Sequence, residues 1–169
     1  MCLRSYLRTF LLISVVTITS SCGIDQKSKT RNRAEKYFEM YADRSDWPGF
    51  INQYADDLVF EDVVFALSYD KNQFIDFYNW PDTAFRKHPD YPKTLIVEDL
   101  AVTDSSAVGR GYFTPFYFGG ELMAKEHQWR FTIWLYFNEH GKITRHIDYI
   151  DYPARFMKLA VESRTEKTN

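Results

Sequence analysis

Cysteine is almost missing from this chain: Cys2 and Cys22 are the only two, so no disulfide holds anything beyond residue 22 together. Glycine is scarce as well, 7 residues in 169, which excludes collagen-like and glycine-rich phosphate-loop designs. Neither sign of charge dominates, with Lys+Arg 21 against Asp+Glu 23, and no nucleic-acid surface follows from such a balance. No apolar run approaches the ~20 residues of an ordinary membrane span. What the chain has in plenty is rings: 14 Phe, 12 Tyr and 4 Trp. Such side chains fill a core, or line a cavity, with few positions. The length fits one domain.

The first 22 residues read as an address. Arg4 and Arg8 make a positive start, Phe10 to Ile18 is mostly apolar, and Thr19-Ser20-Ser21 puts small residues before Cys22. That order is an export signal. Small residues directly before a cysteine resemble the lipobox of bacterial lipoproteins, although that family usually has Leu where Thr19 stands. The resemblance implies cleavage before Cys22, lipidation of its thiol and anchoring in the bacterial cell envelope, in a leaflet the sequence does not name. Cleavage after Ser21, or an uncleaved anchor, are the alternatives. Residues 23–30 are polar and read as a tether, 31–160 as the domain and 161–169 as a polar tail.

Within the domain, Ala34, Tyr37, Phe38 and Tyr41 have the spacing of an amphipathic helix, and Trp47, Phe50, Ile51 and Tyr54 repeat it. Ser45 is the expected cap of the second helix, with Pro48 in its first turn. Alternation over Asp57 to Phe65 predicts a strand with Leu58, Phe60 and Asp62 on one face. Asp70 is placed to cap a short helix. After the loop-rich stretch around Pro81, Pro89 and Pro92 the pattern turns to strands: Thr94 to Val102, Ala107 to Phe118, Glu121 to Phe137 around the Gly119-Gly120 turn, and Lys142 to Asp151. Pro153 can open a terminal helix. Helices first and a run of antiparallel strands afterwards indicate an α+β domain with helices on one face of a curved sheet.

Two stretches carry a family resemblance. Tyr54-Ala55-Asp56-Asp57-Leu58-Val59-Phe60-Glu61-Asp62 resembles the entry to the first strand of ketosteroid isomerases. Phe137-Asn138-Glu139-His140-Gly141-Lys142-Ile143, followed by Asp148-Tyr149-Ile150-Asp151, resembles the closing hairpin of SnoaL-like cyclases and limonene epoxide hydrolases. All belong to the nuclear transport factor 2-like superfamily, whose fold is a cone: a bent sheet around helices with a pocket inside. The fold hosts enzymes, binding modules and assembly domains, so it does not choose among them.

The resemblance also distributes roles. Asp62 matches the isomerases' proton-abstracting acid, and a carboxylate facing an apolar cavity is a strengthened base; the alternative is an Asp that bonds backbone or a tyrosine at the pocket mouth. Tyr37 matches the oxyanion-holding tyrosine, or is a core tyrosine with a satisfied hydroxyl. The isomerases' second donor falls near Ile133, which cannot donate. Asp148 matches the first acid of the epoxide hydrolases' closing motif; Arg110-Gly111-Tyr112 stands for their Arg-x-Asp pair, with Tyr112 where the acid belongs. Arg110 is expected to orient Asp148, for chemistry or as a structural pair. His127 and Trp129 share the apolar face of Phe131, Ile133, Leu135 and Phe137, so His127 is a candidate acid or base or a satisfied rim histidine. His146 shares a face with Asp148; the two with His127 have the donor types of a metal site, but nothing else supports one, and no cofactor is expected.

The pocket is thus expected to gather Tyr37, Phe60, Asp62, Arg110, Tyr112, His127, Trp129, His146 and Asp148 around a small hydrophobic molecule. Two functions stay open: a ligand-binding module, and an acid–base enzyme of isomerase, cyclase or hydrolase type with Asp62 or Asp148 as base. The outward sheet face, carrying Ile143, Ile147 and Tyr149, is the surface through which the resemblance implies a homodimer.

Overall fold

The computed structural model describes residues 19–81, 84–124, 129–154, 157 and 158. The first helix, α1 (Thr19–Asp43), buries Ala34, Tyr37, Phe38, Tyr41 and Ala42, the one-face spacing of an amphipathic helix. It runs through the polar stretch read as a tether, and Thr30 is already sealed, its hydroxyl donating to the Asp104 carbonyl at 2.7 Å. It stops where Arg44 turns left-handed (φ 55°) and its N–H closes on the Met40 carbonyl at 2.8 Å. The short α2 (Trp47–Ile51) is capped by Asp46, not Ser45: the Asp46 carboxylate accepts the Gly49 N–H at 2.9 Å, whereas the Ser45 hydroxyl turns back to Asp43. Asp70 caps α3 (Lys71–Tyr78) in a full capping box with Gln73.

The main sheet has six strands in the order β2-β1-β9-β8-β5-β4, formed by β1 (Tyr54–Asp62), β2 (Leu67–Tyr69), β4 (Leu95–Val102), β5 (Ser106–Phe113), β8 (Arg130–Phe137) and β9 (Ile143–Ile150). It is mixed rather than wholly antiparallel. The β8–β9 hairpin leaves one edge of β9 free, and β1 covers that edge running in the same direction, with Asp62 beside Asp148 and Phe60 beside His146. The two long strands expected around Gly119-Gly120 are broken. Pro115 offers no N–H to a ladder, and beyond it β6 (Phe116–Phe118) and β7 (Glu121–Met123) leave the main sheet. With β3 (Phe85–Lys87) they form a separate three-stranded sheet in the order β3-β6-β7. Gly119 and Gly120, at φ 58° and 84°, make its tight turn.

The inward faces follow the expected alternation on β1 (Leu58, Phe60, Asp62) and β8 (Phe131, Ile133, Leu135, Phe137), all buried. On β5 the inward face is Ala107, Gly109, Gly111 and Phe113. The glycines are required there: a Cβ on Gly109 would lie 2.1 Å from the Phe38 ring, and one on Gly111 1.8 Å from the Ile96 carbonyl oxygen. Ile143 belongs to the core, at 0 % exposure, not to the outer face. A register shift at Tyr136/Phe137 interrupts the alternation that would have turned it outward. The outer face carries Tyr149 as expected, together with Val59 and Trp134, while Ile147 is buried as well.

Candidate functional site

The site grows from β9. Its inward residues His146, Asp148 and Ile150 look into the bent sheet, and the first two are 0 % and 1 % exposed. A buried carboxylate needs hydrogen-bond partners. Asp148 has them: Oδ1 lies 2.7 Å from His146 Nε2, and Oδ2 accepts the Tyr78 hydroxyl at 2.7 Å. The network extends both ways. Tyr41 donates to the Tyr78 oxygen at 3.3 Å. His146 Nδ1 lies 3.1 Å from the Tyr54 hydroxyl, and Nε2 lies 3.4 Å from that of Tyr37. Burial, ahead of every other cause, pushes Tyr37, Tyr54 and Tyr78 well above the ordinary tyrosine value and Tyr41 to about 12. All four therefore remain neutral hydroxyls that can donate.

Asp62 stands beside Asp148 on the neighbouring strand. It accepts the Phe65 N–H at 2.9 Å and the Tyr152 hydroxyl at 2.7 Å. Burial raises its pKa above the ordinary carboxylate value, and the Asp148 charge adds to this, while the Phe65 and Tyr152 hydrogen bonds pull the other way.

Next to this pair lies a cavity of about 220 Å³. Rings make most of its wall: Tyr41, Phe77, Tyr78, Trp80, Phe113, Phe116, Phe118, Trp129 and Tyr152, with Met123 and Ile150 between them. Asp148 is the carboxylate on that wall and Arg44 the cation. The Arg44 guanidinium lies 4.2 Å from the Phe85 ring centroid, 5.1 Å from Tyr41 and 5.3 Å from Trp80. Burial lowers its pKa. Its Nε and the Trp80 Nε1 are both sealed from solvent without a hydrogen-bond partner.

Of the residues expected to meet in the pocket, Asp148 and Trp129 line the cavity. His146 supports Asp148 from behind, and Phe60 packs against the His146 ring at 5.1 Å. Tyr37 is wholly buried within the network and does not reach the cavity wall. Asp62 touches the wall only through Tyr152. Arg110 and Tyr112 are on the opposite face of the sheet, so the expected Arg110–Asp148 pair does not form. Arg110 pairs with Asp99 in solvent, and the Arg130 guanidinium lies over the Tyr112 ring, 5.8 Å from the ring centroid. Strand alternation decides this: with Gly109 and Gly111 inward, Arg110 and Tyr112 must point out. His127 and the Cys22 side chain lie outside the described residues. Among the described residues no three potential metal ligands come together.

The sequence reading missed Arg44, Tyr41 and Tyr78. Arg44 sits in the charged string Asp43-Arg44-Ser45-Asp46, which looks like a solvated turn. Tyr41 and Tyr78 share helix faces with core residues, and their hydroxyl partners lie far off in sequence, Asp148 on β9 for Tyr78 and Tyr78 on α3 for Tyr41.

No protein-family model matches the chain, and no curated protein does. Solved structures match its shape. A SnoaL-like polyketide cyclase candidate from Shewanella putrefaciens superposes at TM-score 0.60 with 20% identity, over 79% of this chain and 97% of that one. An LEH-like epoxide hydrolase from Mycobacterium tuberculosis gives TM-score 0.58 at 13% identity, over 75% and 85%. A ketosteroid isomerase candidate from Kribbella flavida gives 0.55 at 19%, over 76% and 82%.

Proposed function

We propose that this chain, which has the nuclear transport factor 2-like fold, binds one small, mostly apolar molecule in the cavity beside Asp148, and does so at the cell envelope on a lipid carried by Cys22. The observation that carries the binding reading is the cavity wall itself: ring against ring, with Asp148 to fix orientation. Apolar linings with a few placed polar groups are the common form of small-molecule sites. A cavity of ~150 Å³ suffices for benzene, so about 220 Å³ fits one ring with a short side chain. Two departures weigh against the chemistries of the named structural neighbours. By the resemblance in sequence the isomerases' second oxyanion donor falls near Ile133, which cannot donate, and Arg110 is turned away from Asp148.

The test is titration with 3-phenylpropanol, followed by tryptophan fluorescence, since Trp80 and Trp129 are on the wall. Saturable quenching is expected, lost in the cavity-filling Met123→Trp and retained in Arg110→Ala. Quenching that survives Met123→Trp, or no saturation at all, refutes the reading. Mass spectrometry of the mature N-terminus checks the anchor: a lipidated Cys22 supports it, and an intact Met1 start refutes it.

A second reading has one observation in its favour: Asp148 faces the cavity while His146 and Tyr78 hold its two oxygens. A base so held can remove a proton from a bound carbon acid. Deuterium uptake from D₂O into a bound ketone, abolished by Asp148→Asn, would establish that chemistry. Uptake that persists in Asp148→Asn would exclude Asp148 as the base.

A further inference from the structure

Among the described residues Arg44 has no anionic partner. The acids nearest to it in sequence are engaged elsewhere: Asp43 with Lys87 at 3.0 Å, and Asp46 with the Gly49 N–H of α2. Asp148 is held by Tyr78 and His146. Among the described residues no carboxylate forms an ion pair with Arg44, and its Nε has no hydrogen-bond partner although no solvent reaches it. Trp80, whose ring lies against the same guanidinium, also keeps its Nε1–H sealed and unpaired. Buried donors are ordinarily paired, and a half-buried charge without a counter-ion is costly. Ring faces partly offset that cost, and the Tyr41 hydroxyl takes a hydrogen bond from the guanidinium, but Nε keeps a donor unused.

We propose that the cavity takes a small monocarboxylate with an apolar ring, its carboxylate on Arg44 and its body among the aromatic side chains. Arg and carboxylate match as planar forks. The Asp148 charge on the same wall disfavours a second negative group and accepts a hydrogen bond from a ligand hydroxyl. This inference rests on the binding reading above and specifies its ligand class.

The experiment compares three probes of equal length on the full chain at neutral pH: 3-phenylpropionate, 3-phenylpropanol and 3-phenylpropylamine. The carboxylate should bind roughly tenfold or more tightly than the alcohol, as expected for a hydrogen-bonded contact to a charged group. The amine should bind most weakly. Arg44→Gln should bring acid and alcohol within about twofold of each other; Arg44→Lys keeps the charge but not the fork and should fall between. Equal affinity for acid and alcohol in the unaltered protein, or an acid preference that survives Arg44→Gln, overturns the inference and leaves the binding reading standing. Failure of all three probes overturns both. The comparison on the unaltered protein decides the matter even should Arg44→Gln not fold.

Discussion

Tyr78→Phe removes one oxygen and keeps the ring, so it isolates the hydrogen bonds that hold Asp148. The phenyl contacts with Phe74, Phe60 and Tyr41, at centroid distances of 4.5, 5.6 and 5.7 Å, are untouched. Two hydrogen bonds go. The first is the 2.7 Å donation to Asp148, and a bond to a charged group contributes about 1.5–3 kcal/mol. The second is the 3.3 Å bond from Tyr41, a long neutral one at the lower end of ~0.5–1.5 kcal/mol. Tyr78 borders the cavity, so water can replace part of the loss, and the net destabilisation should be about 2 kcal/mol. Urea unfolding measures it as a lower midpoint with an unchanged slope. Repeating the substitution in an Asp148→Asn background closes a double-mutant cycle. The cost of losing the hydroxyl should then fall to roughly 1 kcal/mol, because the acceptor is no longer charged. A cost below about 0.5 kcal/mol, or full additivity with Asp148→Asn, would show that the Tyr78–Asp148 contact does not hold the site together.

Two further outcomes follow from the geometry. Burial raises the Asp62 pKa above its unfolded value of 3.8, so between those two values the folded chain keeps a proton that the unfolded chain has lost. Asp62 therefore makes stability decline as pH rises through that window and level off above it. Asp62→Asn carries no such proton, so the difference in unfolding free energy between variant and parent should shift toward the variant with rising pH across the window; parallel pH profiles would contradict the assignment. Gly111→Ala would place a Cβ 1.8 Å from the Ile96 carbonyl oxygen, a backbone atom in the next strand that no side-chain rotation can relieve. Loss of several kcal/mol in urea unfolding is expected, roughly the scale of severe core disruption; an unchanged midpoint would mean that the β4–β5 pairing is misplaced.

The inward row of β8 was legible because four apolar residues alternate with polar or half-exposed ones, and sheet geometry permits only one reading of that pattern. Phe60 and Asp62 followed by the same logic; the alternative open for Asp62 was a bond to backbone or a tyrosine, and Phe65 and Tyr152 supply one of each. On β5 the same logic had little to grip. Its inward face is glycine at two positions because the Phe38 ring and the Ile96 backbone occupy that space, and a face without side chains carries no hydropathy. Arg110 and Tyr112 thus stood out as the conspicuous residues of a strand whose important side was blank. Arg44 was hidden for the opposite reason. Its neighbours in sequence are charged, whereas its neighbours in space, Phe85, Trp80 and Tyr41, come mostly from elements that local pattern cannot bring together.

The placement of β9 has a consequence for how the chain comes into being. The last of the described strands in chain order lies in the middle of the main sheet, between β1 and β8. Until residues 143–150 emerge, β1 and β8 both end in open ladders, and His146 and Asp148 are absent from the interior that surrounds them. A nascent chain of this order can join β1 to the rest of the main sheet only once residues 143–150 have been made. A deletion of residues 143–150 would therefore split the sheet rather than trim it.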